Sequence, residues 1–142
     1  MAGDVDEWTK EQLKPLSMFE LAKWWADGIK LVGAGNGAGV LASGAALNAF
    51  HGPHAALIWV KISGTIFFVG VFAFALSYFF IHAAAFAQDE VAHAARLKDK
   101  VAININSATS RSSMTRASTL AMVATAAFFL GCTGAFVAFL LY

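Results

Sequence analysis

The stretch LVGAGNGAGVLASGAALNAF, residues 31–50, sets Gly33, Gly35, Gly37 and Gly39 at alternate positions with Asn36 among them. Three structures can be written on such a run: a phosphate-cradling loop, a flexible linker, or a helix whose glycines let a neighbour come close. GAGNGA, residues 33–38, matches the G-x-G-x-x-A form of the dinucleotide fingerprint, and IKLV before it could pass for a strand. A nucleotide site of that type also needs an acidic residue about 20 positions later to hold the ribose. HGPHAAL stands there instead, so the loop reading fails. Written as a helix, the same residues align. Gly35, Gly39 and Ser43 form one ridge at four-residue spacing, and Ala34, Ala38, Ala42 and Ala46 form its neighbour. Such ridges let helix backbones approach closely in lipid, where packing replaces the hydrophobic effect as the source of association. Ala127, Gly131 and Ala135 repeat the pattern near the C-terminus.

Composition says what solvates these helices. Hydrophobic residues make up 58% of the 142 and charged residues 13%, with a mean hydropathy of +0.63. Soluble domains hold about 45–50% and about 25%. A chain this short keeps a large share of its residues at the solvent boundary, so lipid must be part of that solvent. Three segments have the roughly 20 apolar residues of a crossing: 31–50, 55–87 and 117–142. The second is too long for one crossing, but Lys61 and His82 bracket residues 62–81, which carry no charge. Lys61 is expected to snorkel to one interface and His82 to lie at the other.

In SMFELAKWWADGIK, residues 17–30, Ser17 and Glu20 have the spacing of a capping box, and Met18, Leu21, Ala22, Trp25 and Ile29 recur at helical intervals. Lys23, Asp27 and Lys30 occupy the other side beside Trp24. This predicts an amphipathic helix on the inner membrane surface, anchored by Trp24, Trp25 and Lys30. After His82 the alanine-rich HAAAFAQDEVAHAARLKDKVA contains no Gly or Pro, so the second helix is expected to continue into the cytoplasm, with NINSATSRSSMT as a polar break that caps the third. The fold expected is an all-α integral membrane bundle of three transmembrane helices plus an N-terminal amphipathic interfacial helix. Residues 1–30 form the polar segment and interfacial helix, and residues 31–142 the membrane domain, with a cytoplasmic hairpin around 88–116.

Lys30 precedes the first span, and Arg96, Lys98, Lys100, Arg111 and Arg116 fill the connection between the second and third. The HGPH turn, residues 51–54, has no Lys or Arg. The positive-inside rule therefore puts the N-terminus and the connection on the cytoplasmic side, and the turn and Tyr142 outside. A net charge of +1 gives no case for nucleic acid. The single cysteine, Cys132, allows no intrachain disulfide. The acidic start, MAGDVDEWTKEQ, is unlike a secretory signal, and no cleaved leader is expected.

Few residues suggest chemistry. Glu90 and His93, one helical turn apart with Asp89 beside them, are weak metal candidates, because bundle metal sites draw ligands from several facing helices. Asn36, Ser43 and Asn48 in the first span could line a wet path or hydrogen-bond between helices, as could Ser63, Thr65 and Ser77 in the second and Ser118, Thr119, Thr125 and Thr133 in the third; an amide deep in a span needs a partner and can fix register. No nucleophile–base pair or phosphate loop is present, so neither catalysis nor a cofactor is expected.

The alternating glycines resemble the first helix of rotary ATP synthase ring subunits, whose ion-carrying carboxylate has no counterpart in residues 62–81 or 117–142. Taken whole, the chain resembles small three-span bacterial inner-membrane proteins of uncharacterised function. The likeness lies in the polar N-terminal helix, the GNGAGVLASGAAL first span, the long second helix, and Arg111 and Arg116 ahead of the last span. That resemblance implies fold and location and carries no activity. The function expected is a non-enzymatic protein that self-associates through its small-residue ridges, in its sharpest form an oligomeric pore or membrane-perturbing effector, with the lipid bilayer as solvent and a protein partner at the cytoplasmic hairpin. The alternative is an accessory or scaffold subunit of a larger membrane complex.

Overall fold

The structure is a computed structural model that describes residues 18–49 and 53–142. The N-terminal polar segment, with Ser17, and most of the HGPH turn lie outside the described residues. Three α-helices account for nearly all the rest: α1 (Met18–Ala49), α2 (His54–Arg96) and α3 (Lys100–Leu140). α2 and α3 are long and apolar enough to cross a membrane. They form the most extensive helix pair, and α1 lies on both but chiefly on α2. Each helix runs antiparallel to the next: Gly33, Asn36, Gly39 and Ser43 of α1 meet Phe74, Gly70, Phe67 and Gly64 of α2 in descending order.

Two boundaries differ from the sequence expectation. No bend separates an interfacial helix from a first span, because α1 is continuous. Ile29, at the expected junction, is buried against Ile81, Ala117 and Ala121, with Trp25, Phe74 and Phe80 around them. That packing holds the start of α1 upright on the bundle. On the opposite surface Lys30 Nζ donates to Asp27 at 2.8 Å, one turn apart. The hydrogen bond holds the Asp27 carboxyl below, and the Lys30 ammonium above, their usual values.

The second correction concerns NINSATSRSSMT, which is helical throughout; the break falls earlier, at residues 97–99. Lys98 adopts the left-handed conformation (φ 56°). Asp99 N–H donates to Ala94 O at 3.0 Å and Lys98 N–H to Ala95 O at 3.2 Å, the paired bonds of a Schellman ending. Asp99 then caps α3, its carboxylate accepting from Val101 N and Ala102 N at 3.0 Å. With the cap supplied by an aspartate, the serines and threonines downstream stay on the helix. Thr109 and Thr115 satisfy their hydroxyls on carbonyls four residues back, and Ser110 reaches across to Ala84 O at 3.1 Å.

Side-chain size is distributed inside out. Phe68, Phe72, Phe79, Phe86, Phe129 and Phe136 are all exposed. The buried faces of α2 and α3 are mostly Ala, Gly and Ser. The larger buried side chains of α2 are Val60, Phe67 and Ile81, and the rings of Phe67, Phe74 and Phe128 are seated on glycines. A Cβ on Gly33 would stand 2.6–2.7 Å from the Phe74 ring, and one on Gly35 would meet Phe128 at 2.8 Å. Phe67 is gripped on two sides, by Gly39 of α1 and Gly131 of α3. Its ring centroid lies 6.3 Å from that of Phe128.

Replacing Gly39 by Ala is expected to overpack the Phe67 contact and lower stability by about 1–3 kcal/mol. Lys98→Gly, which relieves a side chain of the left-handed turn, should raise it by up to about 1 kcal/mol. Unfolding of the purified protein in detergent, followed by circular dichroism, reads both.

Candidate functional site: a polar seam between the helices

Every seventh residue of α2 from 56 to 84 is small and buried: Ala56, Ser63, Gly70, Ser77 and Ala84. The matching row on α3 is Ser110, Ala117, Ala124, Gly131 and Ala138. A seven-residue repeat keeps one seam facing its partner along two helices coiled around each other, and small side chains there let the backbones approach. The hydroxyls show how closely. Ser63 Oγ donates to Gly131 O at 2.6 Å, and Ser77 Oγ to Ala117 O at 2.8 Å. At the end near the α2–α3 turn the direction reverses, with Ser110 Oγ donating to Ala84 O.

One rung of this ladder is missing from α2. Between Ser63 and Ser77 stands Gly70, which has no side chain to offer Ala124 of the facing row. Asn36 of α1 supplies it: its Nδ2 donates to Ala124 O and to its own Val32 O, both at 3.0 Å. The acceptors on α3 are therefore Ala117, Ala124 and Gly131, seven residues apart, met in turn by Ser77, Asn36 and Ser63. A helix carbonyl has two lone pairs, so each of these can accept a second bond without giving up its own helix.

Asn36 fits only because Gly70 is bare. A Cβ at Gly70 would lie 2.5 Å from Asn36 Cγ and 2.8 Å from Nδ2. Asn36 is wholly buried, and its Oδ1 has no conventional donor among the described residues. That oxygen faces the Gly70 backbone, where the hydrogen standing in place of a Cβ points at it, the arrangement of a weak Cα–H···O contact. The largest fully buried side chains are Asn36, Ser63 and Ser77. All three are polar and all three are bonded to backbone.

The other singled-out residues divide by location. Gly33, Gly35, Gly39 and Gly131 receive phenyl rings, Ser43 is buried with its Cβ against Gly64, and Ala127 is buried on α3. Gly37, Ala135 and Asn48 lie outside the interior, with open space where a Gly37 side chain would be. Trp25 is half-buried, Lys61 is exposed, and exposed His82 bonds Tyr78 O through Nδ1 at 3.0 Å. The Trp24 side chain lies outside the description. Glu90 and His93 are exposed, and among the described residues no three His, Cys, Asp or Glu side chains gather as a metal site would require. Ser63 and Ser77, read from the sequence as hydroxyls that could bond between helices, do so; the sequence reading missed Gly70 and Ser110, for which the seven-residue spacing of Ser63, Gly70 and Ser77, and of Ser110 and Ala117, was the available signal.

The seam can fix which helix lies where and in what register. Among the described residues, none of the side chains that make these bonds is titratable. Comparison with protein-family models, curated proteins and solved structures returns no match for the chain.

Ser77→Ala should cost about 0.6 kcal/mol and no more than about 1.7, the range of interhelical hydrogen bonds in membranes. Asn36→Leu, which removes a donor and crowds Gly70, should cost about 1–3 kcal/mol. Both are measured as shifts in the detergent unfolding transition.

Proposed function

We propose that the chain is a non-enzymatic, three-span protein of a bacterial inner membrane that associates with copies of itself through the outer face of α1. The membrane reading is supported by the two apolar helices and by the large apolar side chains on their outer surfaces, since soluble monomers seldom expose contiguous apolar patches larger than a few hundred Å². In this reading α1 is the third span. Its Gly and Ala content and two asparagines make it less apolar than α2 and α3, and it is the helix best suited to face protein on both sides. The cytoplasmic end carries Lys30, the 97–99 turn and Arg111. Tyr142, Ala49 and Pro53 lie at the other end.

The observation that carries self-association is the outward face of α1. Gly35, Gly39 and Ser43 are occupied inside the chain, but nothing comes within 4 Å of where a Cβ on Gly37 or Gly44 would be. Ala34, Ala38 and Ala45 are exposed around them. Small residues left bare on a span invite a helix to pack there. Asn36 and Ser43 face into the monomer, so the proposal is association and not conduction. Asn48, exposed toward the end of α1, is available for a polar contact across the interface.

A specific feature favours a second reading, that of an accessory subunit. Where α2 and α3 meet, Leu97 in the turn and Val101 and Ile105, one helical turn apart on α3, are exposed apolar side chains on a largely polar segment. A protein partner held at the cytoplasmic hairpin would cover them.

The mass of the purified chain in mild detergent separates these readings. Self-association predicts a discrete homo-oligomer that Gly37→Leu reduces to monomers without loss of helicity, because that position has room for a side chain. Gly35→Leu, driven into Phe128, should instead unfold the protein. A wild type that is monomeric throughout favours the accessory subunit.

A further inference from the structure

The last charged residues before the uncharged stretch 117–142 are Arg111 and Arg116, and they belong to one surface feature. An open cleft of about 720 Å³ on α3 is lined by Ser107, Ala108, Arg111, Ser112, Thr115 and Arg116. Five residues apart, the two arginines project about 140° from each other around the helix, at 3.6 residues per turn. Ser112 and Thr115 lie between them, so two guanidinium groups flank a trough floored by small side chains. The Arg116 guanidinium sits over the Phe80 ring, 5.6 Å from its centroid, which holds it at the α2–α3 edge. Among the described residues the one ion pair is Lys30–Asp27, so neither arginine is neutralised by a carboxylate there. The Thr115 hydroxyl donates to Arg111 O, while those of Ser107 and Ser112 bond to no described group. The cleft thus offers guanidinium N–H groups, whose forked geometry suits phosphate oxygens, and serine hydroxyls able to donate beside them.

The same face of α3 continues into the apolar stretch as exposed Thr119, Met122, Ala126 and Phe129. Donors for a phosphate therefore stand directly above an apolar row that a free ion would not use. We propose that this cleft binds the phosphate headgroup of an anionic membrane lipid between Arg111 and Arg116, with the acyl chains lying along Met122 and Phe129. The site rests on the membrane reading above and adds a ligand to it: the chain selects its lipid neighbour on the cytoplasmic leaflet. Basic residues near that surface attract anionic lipids in any case. Here one of the two charges, that of Arg116, is also held in place over Phe80.

The test uses the full chain in mild detergent with equal amounts of phosphatidylglycerol and phosphatidylcholine, and counts bound lipid by native mass spectrometry. Wild type should prefer phosphatidylglycerol by about tenfold or more, the scale expected of two arginines near a membrane surface. Arg111→Gln with Arg116→Gln should bring the ratio near one with helicity unchanged. Arg96→Gln with Lys98→Gln, at the turn, should leave the preference intact. Equal loss in both double variants, or no preference in wild type, would overturn the site. Displacement of the lipid by millimolar inorganic phosphate would overturn a lipid as the ligand. Flotation with vesicles isolates the premise: a chain that fails to float overturns the membrane reading and the site together, whereas one that floats without lipid preference loses the site alone.

Discussion

The packing of this bundle depends on one substitution of parts: an amide from α1 takes the place of a side chain that α2 does not have. Gly70 leaves a gap in the buried row of α2, and Asn36 fills it, bonding to Ala124 on the far side. In lipid there is little hydrophobic force to press helices together, so contact must come from close packing and from polar groups with nowhere else to go. Asn36 supplies both. Shifting α1 along α2 would place the amide against a side chain and leave the N–H that now reaches Ala124 O unpaired in an apolar interior, so the register of α1 is set at that point.

The aromatic contacts follow from the same register. With Asn36 over Gly70, Gly33 lies over Phe74 and Gly39 over Phe67, and Phe67 also presses on Gly131. The glycines of α1 thus act as seats for rings from α2 and α3. They sort into two sets. Gly33, Gly35 and Gly39 hold the monomer together, while Gly37 and Gly44 face outward. The alternation that opened the sequence reading is the sum of two helix faces with different uses.

Much of this was legible in the sequence. The uncharged runs marked α2 and α3, the absence of Gly and Pro after His82 predicted the long α2, and the need of a buried Asn36 for a partner could be stated from its position. What was hidden was the partner itself. The search for small residues at four-residue spacing finds Gly35, Gly39 and Ser43, but the α2–α3 seam repeats every seven and mixes Ala, Ser and Gly, so no single residue type marks it. The serines and threonines of NINSATSRSSMT read as a break because such residues favour caps. On a helix pressed against another they serve instead as small interfacial groups, and Asp99 had already supplied the cap. The continuity of α1 through residues 29–31 depends on Ile29 meeting Ile81, Ala117 and Ala121, a contact between segments that periodicity within one segment cannot show.

The account stands most directly on the pairing of Asn36 with Gly70, and a double-mutant cycle measures it. Gly70→Ser would complete the serine row of α2 but collides with Asn36, so alone it should destabilise the protein. Together with Asn36→Ala the serine gains room and can reach Ala124 O as Ser63 and Ser77 reach Gly131 and Ala117. Detergent unfolding of the two single variants and the double should give a coupling of about 1 kcal/mol or more in favour of the double, well outside the additivity of independent sites. Strictly additive effects would mean that Asn36 does not occupy the space of the missing side chain, and the arrangement of α1 on the hairpin described here would be wrong.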